Sequence, residues 1–73
     1  MASFQKAFGA AVRRRRHRLR LSQEDFTEQA DIHRTYVSKI EAGKVDVGLG
    51  IADRVAKALG TKLSNLLREA EAG

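Results

Sequence analysis

Apolar residues recur at helical spacing in two short segments near the middle of the chain. Phe26 and Ala30 are four positions apart, and Val37 and Ile40 are three positions apart, so each pair lies on one side of an α-helix. The pattern breaks at Asp31, between the two segments. It therefore predicts two short helices joined by a tight turn, which need apolar surface from the rest of the chain because helices this short are not stable alone.

The residues at the ends of these segments are typical of helix termini. Ser22 is a good N-cap because its hydroxyl can accept a hydrogen bond from a free backbone N–H of the first turn. Asp25, three residues later, is placed to complete a capping box. Gly43 closes the second helix, since glycine adopts the left-handed conformation at little cost. The two-helix unit therefore spans about residues 22–43.

A third apolar stripe lies N-terminal to this unit and predicts a helix that has Ser3 as its N-cap and runs to about Arg18. The stripe comprises Phe4, Phe8, Ala11, Val12 and Leu19. Arg15 falls near the centre of the stripe, where a charged side chain is unexpected, and the pattern gives no reason for it.

Two more apolar patterns follow the two-helix unit and predict a fourth and a fifth helix. The fourth follows a loop of residues 44–50 and ends at Gly60. Its stripe consists of Ile51, Val55, Ala58 and Leu59. The fifth is short, with Thr61 or Ser64 as its N-cap. Its apolar residues are Leu63, Leu66 and Leu67. The end of the chain, residues 69–73, is expected to fray.

Composition favours a small helical domain without covalent or metal cross-links. The 73 residues include no proline and no cysteine, so stability has to come from apolar packing, which a partner subunit can complete. The two histidines are far apart in the sequence and make no metal pair, and no cofactor is expected. We therefore predict one domain, residues 1–73, folded as an all-α compact bundle of about five short helices.

The charge of the chain is positive and unevenly distributed. The formal net charge is +5 and the pI is near 10.3, which suits a polyanionic partner without distinguishing DNA from RNA or a membrane surface. Residues 1–21 contain one lysine, six arginines and no acidic residue, whereas residues 22–31 contain four acidic residues and no basic one. We interpret the run RRRRHRLR as a solvated helix face, with a phosphate-tracking or RNA-binding segment as the alternative.

The sequence has no pattern typical of a membrane protein or an enzyme. No apolar run approaches the roughly 18–20 residues that a membrane span requires. Neither a nucleophile with its base nor an acid–base pair stands out, and the glycines of residues 48–50 lack the spacing and the following Lys-Ser/Thr of a phosphate-binding loop. We therefore expect a cytoplasmic, nucleoid-associated protein that is not an enzyme.

The stretch LSQEDFTEQADIHRTYVSKIEAGK, residues 21–44, resembles the helix-turn-helix of the Cro/repressor-like (XRE) family of bacterial and phage regulators. The similarity continues at uniform spacing through AKALG and LSNLL and covers about residues 8–67. The resemblance implies a bundle like the lambda-repressor DNA-binding domain, DNA binding through the second helix of the motif, and a homodimer.

Two motif positions depart from the family pattern. Thr27 replaces the usual small alanine where the helices cross, and Asp31 replaces the glycine of the turn. Aspartate tolerates left-handed geometry better than most other non-glycine residues. Both departures weaken the match without breaking it.

The resemblance implies which residues meet the bases of DNA. In this family the base-reading side chains lie on the second helix of the motif, here His33 to Glu41. The corresponding positions are His33, Arg34, Thr35, Ser38 and Lys39. Arg34 or Lys39 can donate to guanine O6 and N7, and Thr35 can contact a thymine methyl group or a phosphate. Without the resemblance, a merely solvated polar face would explain these residues equally well.

Three further residues are candidates for contact with DNA phosphates. Gln23 is the first residue of the first motif helix, where the family often carries a glutamine aimed at a phosphate. Tyr36 lies between the buried and outer faces, so either a phosphate contact or a purely structural role fits it. Lys44, just after the motif, is the third candidate.

The family positions also imply two structural contacts. Arg16 and Glu41 match positions that pair in the family, which implies an ion pair between the first helix and the motif. The region of the fifth helix often forms the dimer contact in the family, which implies an interface made by Leu63, Leu66 and Leu67. The same leucines would alternatively close the core of the monomer.

Together these observations predict a sequence-specific regulator of transcription that binds double-stranded DNA. It would act as a homodimer of the repressor or restriction–modification controller type, on an operator with repeated half-sites. Two alternatives stay open. One is an antitoxin-type module whose main partner is another protein, and the other is a nonspecific nucleoid or RNA-binding protein.

Overall fold

The computed structural model describes residues 3–72, and within this range it contains five α-helices and no strand. The helices are α1 (Phe4–Arg18), α2 (Gln23–Ala30), α3 (Arg34–Glu41), α4 (Leu49–Ala58) and α5 (Leu63–Ala72). The predicted all-α bundle of about five short helices is confirmed. Helices α2 and α3 form the predicted two-helix unit.

Serine hydroxyls cap the first two helices, as their sequences predict. Ser3 Oγ accepts a hydrogen bond from the backbone N–H of Lys6 at 3.2 Å, and Ser22 Oγ accepts one from the backbone N–H of Asp25 at 3.0 Å. The second half of the predicted capping box does not form. Among residues 3–72, the Ser22 N–H makes no hydrogen bond to the Asp25 carboxylate. Instead, Asp25 contributes its negative charge to the first turn of α2.

Left-handed residues end both helices of the two-helix unit. Asp31 follows α2 with φ 56° and ψ 49°. This is the left-handed geometry that aspartate is expected to tolerate. Gly43 follows α3 with φ +70°. Its N–H donates to the Ile40 carbonyl at 3.0 Å, and the Lys44 N–H donates to the Lys39 carbonyl at 2.9 Å. These two bonds form a Schellman motif, which satisfies carbonyls that the end of α3 would otherwise leave free.

The hydrophobic core takes side chains from all five helices. Its largest fully buried members are Phe26, Ile40, Leu59, Leu66, Val12, Val37 and Val55. Helix α1 packs against α5 and α3, while α2 packs against α4 and α3. Helix α5 packs against both α1 and α4, so these three helices form a platform that the motif contacts through α1 and α4.

The predicted apolar stripe of α1 is wrong at its two ends. Phe4, the first residue of α1, is 52% exposed, and Leu19, the C-cap just beyond its last residue, is 50% exposed, because both lie at the ends of the longest helix. Arg15, which the pattern left unexplained, forms an ion pair with Glu69 of α5. Arg15 can interrupt the apolar stripe because the Glu69 carboxylate of α5 lies beside it.

The beginnings of the last two helices differ from the prediction. Helix α4 starts at Leu49, so the end of the predicted loop 44–50 is helical, and Gly48 serves as an N-cap without a side chain. Helix α5 starts at Leu63, which places Ser64 inside the helix rather than at its cap. The Thr61 hydroxyl accepts a hydrogen bond from the Asn65 side chain at 3.3 Å.

Residues 69–72, where fraying was expected, lie within α5. These residues continue α5 to Ala72, because Ala70 is buried at 4% exposure and Glu69 pairs with α1. The part of this expectation that concerns Gly73 lies outside the described residues.

Gly9 sets the distance between α1 and α3, a role that the sequence analysis did not assign to it. A β-carbon at Gly9 would lie 2.1 Å from the Ile40 carbonyl oxygen and 2.9 Å from that of Glu41. Both atoms belong to the backbone and cannot rotate away. Any larger residue would push the C-terminal end of α3 off the platform.

We predict that Gly9→Ala destabilises the fold although alanine favours helix. The cost of overpacking is expected to be about 2 kcal/mol or more, which lowers the melting temperature by roughly 10 °C for a domain of this size. Gly50→Ala in α4 is the matched control, since a β-carbon there meets nothing within 4 Å. That change should stabilise the fold by about 0.5–1 kcal/mol. Thermal unfolding followed by circular dichroism measures both, and equal melting temperatures would contradict the role of Gly9.

Candidate nucleic-acid interface

Helix α3 has a buried apolar side and an exposed polar side. Val37 and Ile40 are 0% and 2% exposed, so this side is fixed in the core. The side chains on the outer face are exposed, and they are Arg34, Thr35, Ser38 and Lys39. The polar face predicted from the helical period is therefore presented to solvent as one surface.

His33 is the N-cap of α3. Its Nδ1 accepts a hydrogen bond from the backbone N–H of Thr35 at 3.2 Å. The ring is exposed, so its other nitrogen, Nε2, faces away from this hydrogen bond and can meet a partner. His33 thus fixes the start of α3 at the edge of the polar face.

The N-terminus of α2 lies beside the polar face of α3. Gln23, the first residue of α2, is half-buried and its Oε1 accepts a hydrogen bond from Ser38 Oγ at 3.4 Å. Its Nε2 lies 3.5 Å from Glu41 Oε1. Both contacts are long and weak. Because the first backbone N–H groups of a helix lack internal partners, this arrangement places donors for an anion next to α3.

A buried ion pair fixes α1 to the end of α3. Arg16 Nε donates to Glu41 Oε2 at 2.7 Å, and Nη2 donates to Oε1 at 3.0 Å, so the contact is bidentate. The two side chains are only 10% and 6% exposed. Arg16 Nη1 also donates to the carbonyl oxygen of Leu21 at 3.0 Å, in the segment just before α2. One side chain therefore joins α1, α3 and the start of the motif.

Arg54 of α4 supports the turn of the motif, and the sequence analysis did not single it out. Its Nε donates to the carbonyl oxygen of Ala30 at 3.2 Å, and its Nη2 donates to the carbonyl oxygen of Asp31. The last carbonyls of a helix lack partners, so Arg54 satisfies the end of α2. A basic residue near a helix C-terminus is expected, but this one comes 24 positions later in the chain and no local pattern reveals it.

The remaining candidates occupy different surroundings. Lys44 is exposed just beyond α3, close to the polar face in sequence. Tyr36 is half-buried and packs against the core. Within residues 3–72 its side chain makes no hydrogen bond.

The predicted dimer interface is wrong at Leu66. This side chain is 0% exposed and belongs to the core of the monomer, because α5 packs along α1 and turns Leu66 inward. Leu63 and Leu67 are half-buried and line an open apolar cavity instead. They lie apart from the set of residues around α3.

The arrangement of the five helices and the exposed polar face of α3 define a class of protein. Two short helices joined by a left-handed residue rest on a three-helix platform, and the second of them presents a basic polar face. None of the helices within residues 3–72 has the length and apolar character to cross a membrane. This architecture is that of a helix-turn-helix protein.

Comparisons with known proteins agree with this class. A helix-turn-helix domain family matches residues 7–70. The chain is 41% identical to the control protein C.BamHI of Bacillus amyloliquefaciens over 61 residues, which cover 82% of this chain and 75% of that protein. It is 40% identical to the control protein C.MunI of a Mycoplasma species over 65 residues, which cover 88% of each. The solved structure of the restriction-modification controller protein C.AhdI from Aeromonas hydrophila superposes with a TM-score of 0.82 at 31% identity, over 85% of this chain and 94% of that one.

The chain belongs to this helix-turn-helix domain family. The matched range begins within α1 and ends within α5, so it includes the motif and the helices that support it. The resemblance to Cro/repressor-like regulators is confirmed. So is the predicted class of function, a helix-turn-helix DNA-binding regulator of transcription.

We predict that removing one partner of the Arg16–Glu41 pair destabilises the fold strongly. Arg16→Met leaves a carboxylate buried without a partner, which is expected to cost about 3 kcal/mol. The double variant Arg16→Met, Glu41→Met should be at least about 1.5 kcal/mol more stable than the two single effects added together. Urea unfolding of the four proteins measures this coupling.

Arg15→Met is the matched control for this experiment. It breaks the more exposed pair with Glu69 on the same helix, and the loss should be smaller because solvent screens that pair better. A free energy of unfolding for Arg16→Met within about 0.5 kcal/mol of the original protein would show that the buried pair contributes little.

Proposed function

We propose that the protein regulates transcription in the manner of a restriction–modification controller protein, reading an operator in double-stranded DNA with the outer face of α3. The observation that carries this proposal is the exposure of a basic polar face on a helix whose other side is fully buried. Such a helix is held rigidly and can enter the major groove without rearrangement. Action on nucleoid DNA in the cytoplasm is part of the same proposal.

The side chains of the outer face would make different kinds of contact with the bases. Arg34 and Lys39 are cationic donors suited to guanine O6 and N7, and Arg34 can do so with two parallel hydrogen bonds. Thr35 and Ser38 are short, so they allow the helix axis to approach the base edges closely. His33 would add a donor or acceptor at the edge of the contact through its free ring nitrogen.

Phosphate contacts would supply most of the affinity and its dependence on salt. Gln23 and the free N–H groups at the start of α2 suit one phosphate, because the helix dipole places partial positive charge there. Lys44 suits a second. Tyr36 packs its ring against the core and would contribute its hydroxyl only where the DNA backbone reaches the rim of α3.

An exposed apolar surface supports a homodimer. This surface surrounds a cavity of ≈ 230 Å³ and includes Phe4, Val47, Leu49, Leu63 and Leu67. Leu49 is 78% exposed and Phe4 is 52% exposed. Covering a large apolar side chain contributes about 1.5–3 kcal/mol, so a second copy that presents the same surface about a two-fold axis would bury both sets. Such a dimer would present two α3 helices to half-sites about 34 Å apart.

We predict that selection from a random pool of duplexes enriches a repeated half-site. In Arg34→Ala and Lys39→Ala the preference at one or two positions of each half-site should relax, because each lost contact is worth roughly 1–3 kcal/mol of discrimination between bases. Lys62→Ala is the matched control, since Lys62 is an exposed lysine on the turn before α5. It should keep the full preference.

The same selection separates the alternatives. Binding without enrichment would identify a nonspecific nucleic-acid binder, and no binding at low salt would leave the protein-interaction module. A dimer predicts that Leu49→Glu selects a single half-site with reduced affinity. Leu19→Glu, which changes a half-exposed leucine outside the apolar surface, should still select the repeat.

A further inference from the structure

The arginines of α1 divide into two groups according to their partners. Arg15 and Arg18 both contact Glu69 of α5, and Arg16 is held by Glu41 and the Leu21 carbonyl. Arg13 and Arg14 are exposed, and within residues 3–72 their side chains make no hydrogen bond or ion pair. Arg15, Arg16 and Arg18 therefore contact other parts of the fold, whereas Arg13 and Arg14 are available to bind a partner.

Arg13 lines a cleft that opens between α1 and the motif. The cleft has a volume of ≈ 200 Å³, and its walls are Arg13, Arg16, Gln23, Ser38, Glu41 and Ala42. Two of these, Gln23 and Ser38, belong to the surface proposed to meet DNA. The cleft is thus continuous with that surface and extends it onto α1.

A second cleft adjoins the first and shares Arg13 and Glu41 with it. Its remaining walls include Arg14 and His17 of α1, and its volume is ≈ 420 Å³. Arg13 therefore stands between the two concavities, beside the C-terminal end of α3.

The charges around these clefts are unbalanced. Among the described residues, Glu41 is the only acidic one in the walls of either cleft, and both of its carboxylate oxygens are already engaged by Arg16. Within residues 3–72 the guanidinium groups of Arg13 and Arg14 therefore have no counter-charge. An anion with several oxygens would satisfy them, and the planar fork of a guanidinium fits a phosphate group with two parallel hydrogen bonds.

We propose that Arg13 binds a phosphate group of the DNA backbone at the cleft between α1 and the motif. This inference rests on the proposed function, and it extends the interface beyond the helix-turn-helix. The phosphate would lie next to the one held by the start of α2, because Gln23 and Ser38 form the shared wall. Arg13 would fix the position of the protein on the duplex without reading its sequence.

The test compares Arg13→Gln with Arg18→Gln. Both changes remove one positive charge from an exposed arginine of α1, but Arg18 lies beside Glu69, 3.8 Å away, on the side of α5. Affinity is measured by fluorescence anisotropy for the selected duplex and for a scrambled duplex, over a range of about 50 to 200 mM salt. Circular dichroism checks that both variants remain folded.

Arg13→Gln should weaken binding to both duplexes by a similar factor, about 5- to 10-fold, and reduce the slope of log affinity against log salt by about one per bound subunit. Arg18→Gln should change affinity less than about twofold. Arg13→Lys should retain the slope, since it keeps the charge.

Three results would overturn the inference. If Arg13→Gln and Arg18→Gln bind equally well, the cleft holds no phosphate although the proposed function stands. If Arg13→Gln loses affinity for the selected duplex alone, Arg13 reads bases. If the original protein binds neither duplex, the proposed function fails, and this inference fails with it.

Discussion

The ion pair between Arg16 and Glu41 is the contact on which the position of α3 depends. It is bidentate, nearly fully buried, and placed where Gly9 brings the backbones of α1 and α3 together. A buried carboxylate without its partner is unfavourable by several kcal/mol, which is a large part of the stability of any small domain. The pair therefore disfavours any placement of α3 on α1 that separates the two side chains.

Two further sets of polar contacts, made by Arg54 and Arg15, hold the other helices in place around the motif. Arg54 of α4 satisfies the carbonyls at the end of α2 and so holds the turn at Asp31. The pairing of Arg15 with Glu69 ties α5 to α1, and Leu66 fills the space beneath them. In a chain without cysteine, and therefore without disulfides, these long-range polar contacts supplement a small apolar core. The outer face of α3 is not needed for the core and can therefore be polar.

Local patterns in the sequence were sufficient for the number and order of the helices and for the outer face of α3, but they misplaced the beginnings of α4 and α5. The spacing of Val37 and Ile40 determines which side of that helix is buried, and the opposite side follows from the helical period. What the sequence did not reveal depends on residues far apart in the chain. Arg15 looked misplaced because its partner, Glu69, lies 54 positions away. Leu66 was expected at an interface, but α5 packs along α1 and places this side chain in the core. Gly9 gave no signal, since a close approach between helices leaves no trace in a local pattern.

We propose that the outer face of α3 reads DNA, aided by the start of α2. The most direct measurement is a titration of isotope-labelled protein with the selected duplex, followed by the NMR shifts of its backbone amides. We expect the largest changes on Gln23 and on α3, from Arg34 to Lys39, with Arg13 next to them. The largest changes on α5, or unchanged α3 amides at saturating duplex, would contradict it.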